Sequence, residues 1–177
     1  MAGPKRRLPR ASEVARFVGP TFRRGANIEW LKSNWSGPIV VKGIQCIDDA
    51  RAVVSSGADG VAVSNHGGRQ LDRAVTPLEL LPGVVDAVGD SAEVYLDGGV
   101  RAGADIAIAV AFGARAVFLG RPYLYALMAG GEPGVDHLLT LLRDDYARTL
   151  KLLGVTSTSE LDRDLVTLSA ATPSPSS

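Results

Sequence analysis

Residues 60–72 read Gly-Val-Ala-Val-Ser-Asn-His-Gly-Gly-Arg-Gln-Leu-Asp, a short apolar run that passes directly into a polar, glycine-rich loop. Such a short, nearly all-apolar run suits a parallel strand that is buried on both faces of its sheet. Similar runs occur on either side of it along the chain. The sequence therefore predicts four strands, at residues 38–42, 60–64, 93–97 and 116–120.

Helical stretches fill the gaps between these strands. Asp48 and Asp49 place acid at the start of the first predicted helix, and Gly57 follows its end. Pro82 suits the first turn of the second helix, which Gly89 follows. These signals predict one helix in each of the first two gaps.

Two further helices are predicted, at residues 103–112 and 134–153. Ser157 and Glu160 have the spacing of a capping box, which predicts a short last helix. The helix at 134–153 is the longest, and its apolar residues keep a three-four spacing that indicates one core-facing side. These residues are Val135, Leu138, Leu139, Leu142, Tyr146, Leu150 and Leu153.

The element order is therefore βαβαβαβα, which predicts an α/β fold with a parallel sheet and right-handed crossovers. Both an open doubly wound sheet and part of a (β/α)₈ barrel fit this order. The four units occupy about 120 residues and a complete barrel takes roughly 250, so a barrel here would be half of one. We expect an irregular lead-in at 1–25, a half barrel at 26–168 and a disordered tail at 169–177.

The composition of the 177 residues narrows the class of protein. Lys plus Arg and Asp plus Glu both number 19, so no net charge favours nucleic acid or an anionic membrane. No apolar run reaches the length of about 18 residues that spans a bilayer, and residues 1–7 are not expected to begin a secretory signal. Cys46 stands alone, which argues against disulfides and thiolate metal clusters and favours a small core residue. We expect a cytoplasmic protein without a metal.

The last two predicted strands end in residues that suit a phosphate. Gly98 and Gly99 allow backbone N–H groups to approach an anion closely, and Arg101 and Arg121 supply charge and paired donors. The helix that begins near Gly103 is expected to add the positive end of its dipole. Because phosphates in barrels commonly lie after strands seven and eight, the pairing of these two loops favours a phosphate site over simple turns.

The first two strand ends offer a base and two cations. His66 follows a strand and is flanked by glycines, so its imidazole can face a ligand and titrate near neutral pH. Arg69 could grip a carboxylate through its planar fork. Lys42, at a buried strand end, needs either an anionic cofactor or a core salt bridge as its counter-charge. His137 is expected on the exposed side of the long helix.

Together these strand ends resemble the FMN-dependent 2-hydroxy-acid oxidase and dehydrogenase family, which includes glycolate oxidase, lactate oxidase and mandelate dehydrogenase. The similarity runs from about residue 26 to 166 and covers only the second half of the family's domain. The resemblance therefore implies the C-terminal half of a (β/α)₈ TIM barrel with four parallel βα units. The matching segments are Val41-Lys42-Gly43-Ile44-Gln45, residues 64–72, Leu96-Asp97-Gly98-Gly99-Val100-Arg101 and Gly120-Arg121-Pro122.

The resemblance also implies roles. His66 would be the base that removes a proton from a small 2-hydroxy acid such as lactate, and Arg69 would bind the substrate carboxylate. Lys42 would contact the N1/O2 edge of FMN, and Ser64 would touch the flavin as well. The ribityl chain and phosphate would lie on Asp97, Gly98, Gly99, Arg101, Gly120 and Arg121.

This chain departs from the family pattern in two ways. Where the family often has a second Arg followed by Gly-Thr, Ala102-Gly103-Ala104 stands here, which is expected to weaken phosphate binding slightly. The family's first four strands supply substrate-facing tyrosines, flavin contacts and an Asp that orients the His, so this chain alone is expected to be an incomplete enzyme. The alternatives are a split enzyme with a separate N-terminal half, a non-catalytic half barrel that dimerises and binds a phosphate-bearing ligand, and a family member that modifies a peptide-derived redox cofactor.

Overall fold

The computed structural model describes residues 26–168, so the predicted lead-in and the predicted disordered tail lie outside the described residues. Within that range, one sheet of four parallel strands alternates with helices. The elements are α1 (Ala26–Asn34), β1 (Val40–Ile44), α2 (Ile47–Ser55), β2 (Gly60–Ser64), α3 (Pro77–Val88), β3 (Glu93–Asp97), α4 (Gly103–Ala111), β4 (Ala116–Phe118) and α5 (Arg121–Leu153), with short 3₁₀ turns at His66–Gly68, Thr158–Glu160 and Arg163–Leu165.

The strand order decides between the two architectures that the sequence left open. The strands lie side by side in chain order, β1-β2-β3-β4, and every pair is parallel. A doubly wound sheet would reverse its order at a switch point and place helices on both faces. Here each crossover connection leads to the neighbouring strand position, always in the same direction along the sheet. The prediction of a half (β/α)₈ barrel is therefore confirmed.

The core lies between the sheet and the helices on one of its faces. Val61 and Val63 of β2 and Leu81 and Val84 of α3 are wholly inaccessible to solvent and belong to one continuous apolar cluster. Alternate residues of a strand point to opposite faces of a sheet. On the other face, Phe118 of β4 is 41% exposed. The half barrel thus has a packed outer layer and an open inner face.

Two helix boundaries differ from the prediction. Helix α3 begins at Pro77, behind the N-cap residue Thr76, so Pro82 lies inside the helix and not in its first turn. Pro77 already occupies the position at which a missing N–H costs nothing, and the chain continues through Pro82 without a backbone donor there. Helix α5 begins at Arg121, and the predicted helix at 134–153 forms its second part after a break at Gly130 and Gly131.

The strand ends and the core side of α5 also need small corrections. β1 lies two residues further along the chain than predicted, and β4 ends at Phe118. Cys46 is exposed, not a core residue, because it is the N-cap residue of α2 on the loop that leaves β1. Leu142 is buried as predicted, whereas Leu139 is 51% exposed. No helix among residues 26–168 has the length and apolar character needed to cross a membrane.

Truncation of Leu81 tests the position of the core. Leu81 has no exposed surface, so we expect Leu81→Ala to lower the free energy of unfolding by about 2–5 kcal/mol through lost burial and a residual cavity. Leu152, which is 81% exposed, provides the matched control, and Leu152→Ala should change stability by less than about 0.5 kcal/mol. Urea unfolding followed by circular dichroism measures both. Equal losses in the two variants would contradict the described core.

Candidate functional site

The parallel register brings polar residues from three strands to one edge of the sheet. Ser64, the last residue of β2, lies opposite Asp97, the last residue of β3, and Lys42 of β1 lies opposite Ala62. Because side chains alternate across a strand, Lys42, Ser64 and Asp97 project from the same face. This is the open inner face at the carboxyl ends of the strands, where barrel ligands bind.

The hydroxyl of Ser64 is the centre of this cluster. It donates to Asp97 Oδ2 at 2.5 Å and accepts from Lys42 Nζ at 3.2 Å and from the backbone N–H of His66 at 3.1 Å. Ser64 is wholly inaccessible to solvent. Its hydroxyl therefore has its hydrogen-bonding capacity filled by its neighbours, and it fixes their relative positions.

Lys42 and Asp97 form an ion pair, with 2.6 Å between Nζ and Oδ2. Although burial alone would raise the pKa of Asp97, hydrogen bonds from Lys42 and Ser64 and the nearby charges of Lys42 and His66 lower it below its usual value. The counter-charge expected for Lys42 is thus a salt bridge within the chain. The expected burial of Lys42 was wrong, since its side chain is 44% exposed on the open face.

His66 lies at the start of a 3₁₀ turn in a left-handed backbone conformation, with φ 55°. Few residues other than glycine adopt this region, and such outliers often mark functional sites. Its imidazole packs over Gly43, because a Cβ on Gly43 would lie 2.7 Å from His66 Cε1. Gly43 was quoted in the family segment but was not among the predicted site residues. Its role is visible only once β1 and β2 are placed side by side.

Arg69, Arg101 and Arg121, which were predicted to bind anionic groups, are all exposed. A Cβ on Gly67 would lie 3.4 Å from Arg121 Nη2, so the Arg121 guanidinium reaches the turn that carries His66. Gly98 and Gly99 have φ values of 113° and 84°, which a residue with a Cβ rarely adopts. The structure joins Lys42, Ser64, His66 and Asp97 by hydrogen bonds and an ion pair, whereas the side chains of Arg69 and Arg101 make no hydrogen bond or ion pair to these four residues.

The start of α4 near Gly103 was expected to help bind the phosphate, but its N–H groups already have partners. Asp105 accepts hydrogen bonds from the N–H groups of Arg101 and Ala102, and Asp145 accepts from those of Gly103 and Ala104. These donors are engaged, and two carboxylates would repel an added anion. The spacing of Asp105 from the start of α4 could have predicted its capping role. No nearby residue pattern predicts the contact that Asp145 makes.

The start of α5 is different and offers the better anchor for an anion. Gly120 is its N-cap residue, no side chain caps this helix, and Arg121 is its first residue. An uncapped helix N-terminus leaves N–H groups free and favours negative charge. Arg121, the start of α5 and the glycine loop after β3 therefore suit a phosphate group. Among residues 26–168, no group of three or more His, Cys, Asp or Glu side chains could hold a metal ion.

Comparison with known proteins gives consistent matches. A family model described as FMN-dependent dehydrogenase matches residues 4–168. A Mycobacterium tuberculosis protein assigned as an L-lactate dehydrogenase is 53% identical over 141 residues, which cover 80% of this chain and 34% of that protein. An FMN-dependent alpha-hydroxy acid dehydrogenase of Schizosaccharomyces pombe is 46% identical over 162 residues, which cover 90% of this chain and 40% of the relative.

Solved structures agree with these sequence matches. The crystal structure of the monotopic membrane protein (S)-mandelate dehydrogenase is 43% identical with a TM-score of 0.81, and the match covers 88% of this chain and 41% of that one. This chain therefore spans about two fifths of the length of the relatives it matches. These matches confirm the family resemblance that the strand-end segments indicated.

Removal of the Asp97 charge tests the ion pair through its pH dependence. Because the pKa of Asp97 is lowered in the folded chain, its ionised form stabilises the fold above the usual pKa of 3.8. That contribution is lost as the pH falls through the lower, folded value. We expect Asp97→Asn to cost about 1 kcal/mol at pH 7, since Lys42 is partly exposed, and less at pH 3.

Urea unfolding of the wild type and Asp97→Asn at both pH values measures this change. Asp48→Asn is the control, because the Asp48 side chain is 91% exposed and pairs only loosely with Arg51 at 3.5 Å. A stability difference between wild type and Asp97→Asn that is the same at pH 3 and pH 7 would mean that the Asp97 charge does not stabilise the fold.

Proposed function

This chain belongs to the FMN-dependent dehydrogenase family, and from that membership we propose that it supplies the C-terminal half of a barrel that oxidises a 2-hydroxy acid to the 2-oxo acid. One observation supports this proposal above all. The hydrogen-bonded cluster of Lys42, Ser64, His66 and Asp97 lies at the carboxyl edge of the sheet, and the Arg121 guanidinium reaches the turn that carries His66.

The described residues fit FMN as the cofactor. Arg101 and Arg121 would bind the phosphate through paired N–H donors, together with backbone N–H groups at Gly98, Gly99 and Gly120. Lys42 would contact the flavin ring, because its side chain is 44% exposed on the open inner face at the carboxyl edge of the sheet. When bound, FMN supplies the two-electron acceptor for the oxidation.

His66 and Arg69 would have different roles toward the substrate. Oxidation of a 2-hydroxy acid removes two protons and two electrons. The His66 imidazole would accept one proton, and the electron pair with the other proton would leave to the bound acceptor. Arg69, three residues further along the same loop, would hold the substrate carboxylate. Asp97 would keep Lys42 oriented and would hold the ribityl chain.

Ser64 contributes in a different way from the one first expected. Its hydroxyl has no exposed surface and already bonds Lys42, Asp97 and the His66 backbone. We therefore propose that Ser64 acts on the flavin site indirectly. Its hydrogen bonds fix the relative positions of the Lys42 ammonium, the Asp97 carboxylate and the turn that carries His66.

Closure of the site would require a partner for the open edges of the sheet. The two edge strands each expose an apolar side chain, Val40 of β1 at 44% and Phe118 of β4 at 41%. An unpaired strand edge is a template for pairing with further strands. We propose that a complementary N-terminal half covers these edges, and the alternative is a second copy of this chain. We also propose a cytoplasmic location, which cell fractionation would test.

Flavin binding and reduction test the proposed function directly. The 177-residue chain, alone and co-expressed with an N-terminal half, is mixed with FMN, and the retained flavin is measured by absorbance. Lactate, glycolate and mandelate are then added without oxygen. We expect flavin to be retained and bleached in the assembled form. An assembled form that retains no flavin would refute the proposal, whereas bleaching by the chain alone would support the second-copy alternative.

Substitution of His66 separates the chemical role from flavin binding. We expect His66→Ala in the assembled form to retain FMN but to slow flavin reduction by at least about a hundredfold, because a positioned base contributes that much. Substitution of His137, which is exposed on α5, provides the control, and His137→Ala should reduce at the wild-type rate. Wild-type reduction in His66→Ala would remove His66 as the base.

Arg69→Lys tests the carboxylate contact. A lysine keeps the positive charge but cannot form two parallel hydrogen bonds, so the substrate dissociation constant should rise roughly tenfold or more. Anaerobic substrate titration of the assembled form measures this constant. Unchanged substrate affinity together with unchanged reduction would exclude Arg69 from the substrate site.

A further inference from the structure

We propose that Asp145, on the second part of α5, is a positioning residue for residues 98–102, which we call the phosphate loop. The loop's assignment to phosphate rests on the function proposed above. Asp145 lies 42 residues beyond Gly103 in the chain. It touches the start of α4 and not the carboxyl edge of the sheet itself, so its effect on a bound phosphate would be exerted through the loop.

Two carboxylates hold four consecutive backbone donors at this point. Asp105 Oδ2 accepts from the N–H groups of Arg101 at 2.7 Å and Ala102 at 2.9 Å. Asp145 Oδ2 accepts from those of Gly103 at 2.7 Å and Ala104 at 3.3 Å. A helix N-terminus leaves four N–H groups without partners inside the helix. Asp105 belongs to α4 itself. The hydrogen bonds of Asp145 are therefore the ones that connect the start of α4 to α5.

Close backbone packing accompanies these hydrogen bonds. Gly103 is buried, and a Cβ placed on it would lie 2.0 Å from the backbone nitrogen of Tyr146 and 2.5 Å from the carbonyl carbon of Asp145. Only a glycine can stand at this position without moving α5 away from α4. The contact therefore fixes the distance between the two helices as well as the direction of the first turn of α4.

Arg148 completes the arrangement. Its guanidinium bonds Asp145 Oδ1, which leaves Oδ2 to the two backbone N–H groups. The Arg148 hydrogen bond and, after it, the Gly103 N–H lower the pKa of Asp145, so the carboxylate stays ionised at neutral pH. The positive charge of Arg148 also offsets the negative charge that Asp145 brings near an anion site.

The break in α5 limits what Asp145 can position. Asp145 lies in the second part of α5, beyond the non-helical residues Gly130 and Gly131, whereas Arg121 begins the first part. A shift of the second part therefore need not move Arg121. The direct effect of Asp145 falls on the start of α4 and, through it, on Arg101 of the phosphate loop.

Backbone exchange tests this positioning role without any flavin. Amide hydrogen exchange and chemical shifts are measured by NMR in the wild-type chain, Asp145→Ala and Asp144→Ala. Asp144 is the matched control, because its side chain is 67% exposed and its ion-pair partner within residues 26–168 is Arg143. In Asp145→Ala we expect exchange about tenfold faster at Gly103 and Ala104, with shifted resonances across the phosphate loop and unchanged exchange in β2.

A pair of ligands supplies the second readout. FMN and riboflavin differ only by the phosphate, so loss of a positioning residue should weaken FMN binding about tenfold and leave riboflavin affinity within about twofold. Fluorescence titration of the assembled form and of the chain alone measures both constants. If Asp145→Ala does not fold, Asp145→Asn keeps an acceptor oxygen without the charge and should show the same selectivity on a smaller scale.

Each outcome decides the proposal. Faster exchange confined to Gly103 and Ala104, with the phosphate loop unmoved, would reduce Asp145 to a helix cap and overturn the inference. Equal weakening of FMN and riboflavin would also overturn it, since general destabilisation does not select for phosphate. If no form of the wild type binds flavin, the proposed function fails separately, and the resonances of the phosphate loop then decide the role of Asp145 alone.

Discussion

The hydrogen bonds of the buried Ser64 hydroxyl are the interaction on which the candidate site depends. They join an ammonium from β1, a carboxylate from β3 and the backbone of the His66 turn, and they do so where solvent cannot replace a lost partner. At a buried site, the free-energy cost of leaving a donor or acceptor without a partner is larger than the net stabilisation that a formed hydrogen bond provides. The ends of three strands are therefore held in one register before any ligand is present.

The sheet order gives this small cluster its functional meaning. Because the strands are parallel and follow one another in chain order, every strand delivers its carboxyl end to the same edge. The edge then carries cations in two groups, with Lys42 on β1 and Arg69 after β2, and Arg101 and Arg121 after β3 and β4. This spread suits an elongated anionic cofactor that has a ring at one end and a phosphate at the other. The open inner face lies beside both groups.

Much of this arrangement could be predicted from sequence, because its signals are local. The apolar runs place the strands, and the segment from Ser64 to Asp72 is specific enough to indicate the family. The start of α3 was misplaced because two prolines, Pro77 and Pro82, both suit a first turn and only packing distinguishes them. Cys46 was wrongly expected in the core, because the identity of a single cysteine does not indicate whether it lies in the core or on an exposed loop.

The contacts that join distant parts of the chain were beyond sequence reasoning. Asp145 caps a helix that begins 42 residues earlier, and Gly43 makes room for His66 only after β1 and β2 are paired. Neither contact follows from residue spacing, because each depends on how two elements pack. As a result, the sequence placed the helix contribution to phosphate binding at the start of α4, where Asp105 and Asp145 already occupy the donors. The structure favours the start of α5.

A crystal structure of the assembled protein grown with FMN would locate the cofactor relative to the strand ends. We expect the phosphate between Arg101 and Arg121 at the N-terminus of α5, and the flavin ring near Lys42. Asp105 and Asp145 should still be bonded to the start of α4. A phosphate at the start of α4 with those carboxylates displaced, or a flavin away from the carboxyl edge of the sheet, would contradict this placement of the cofactor.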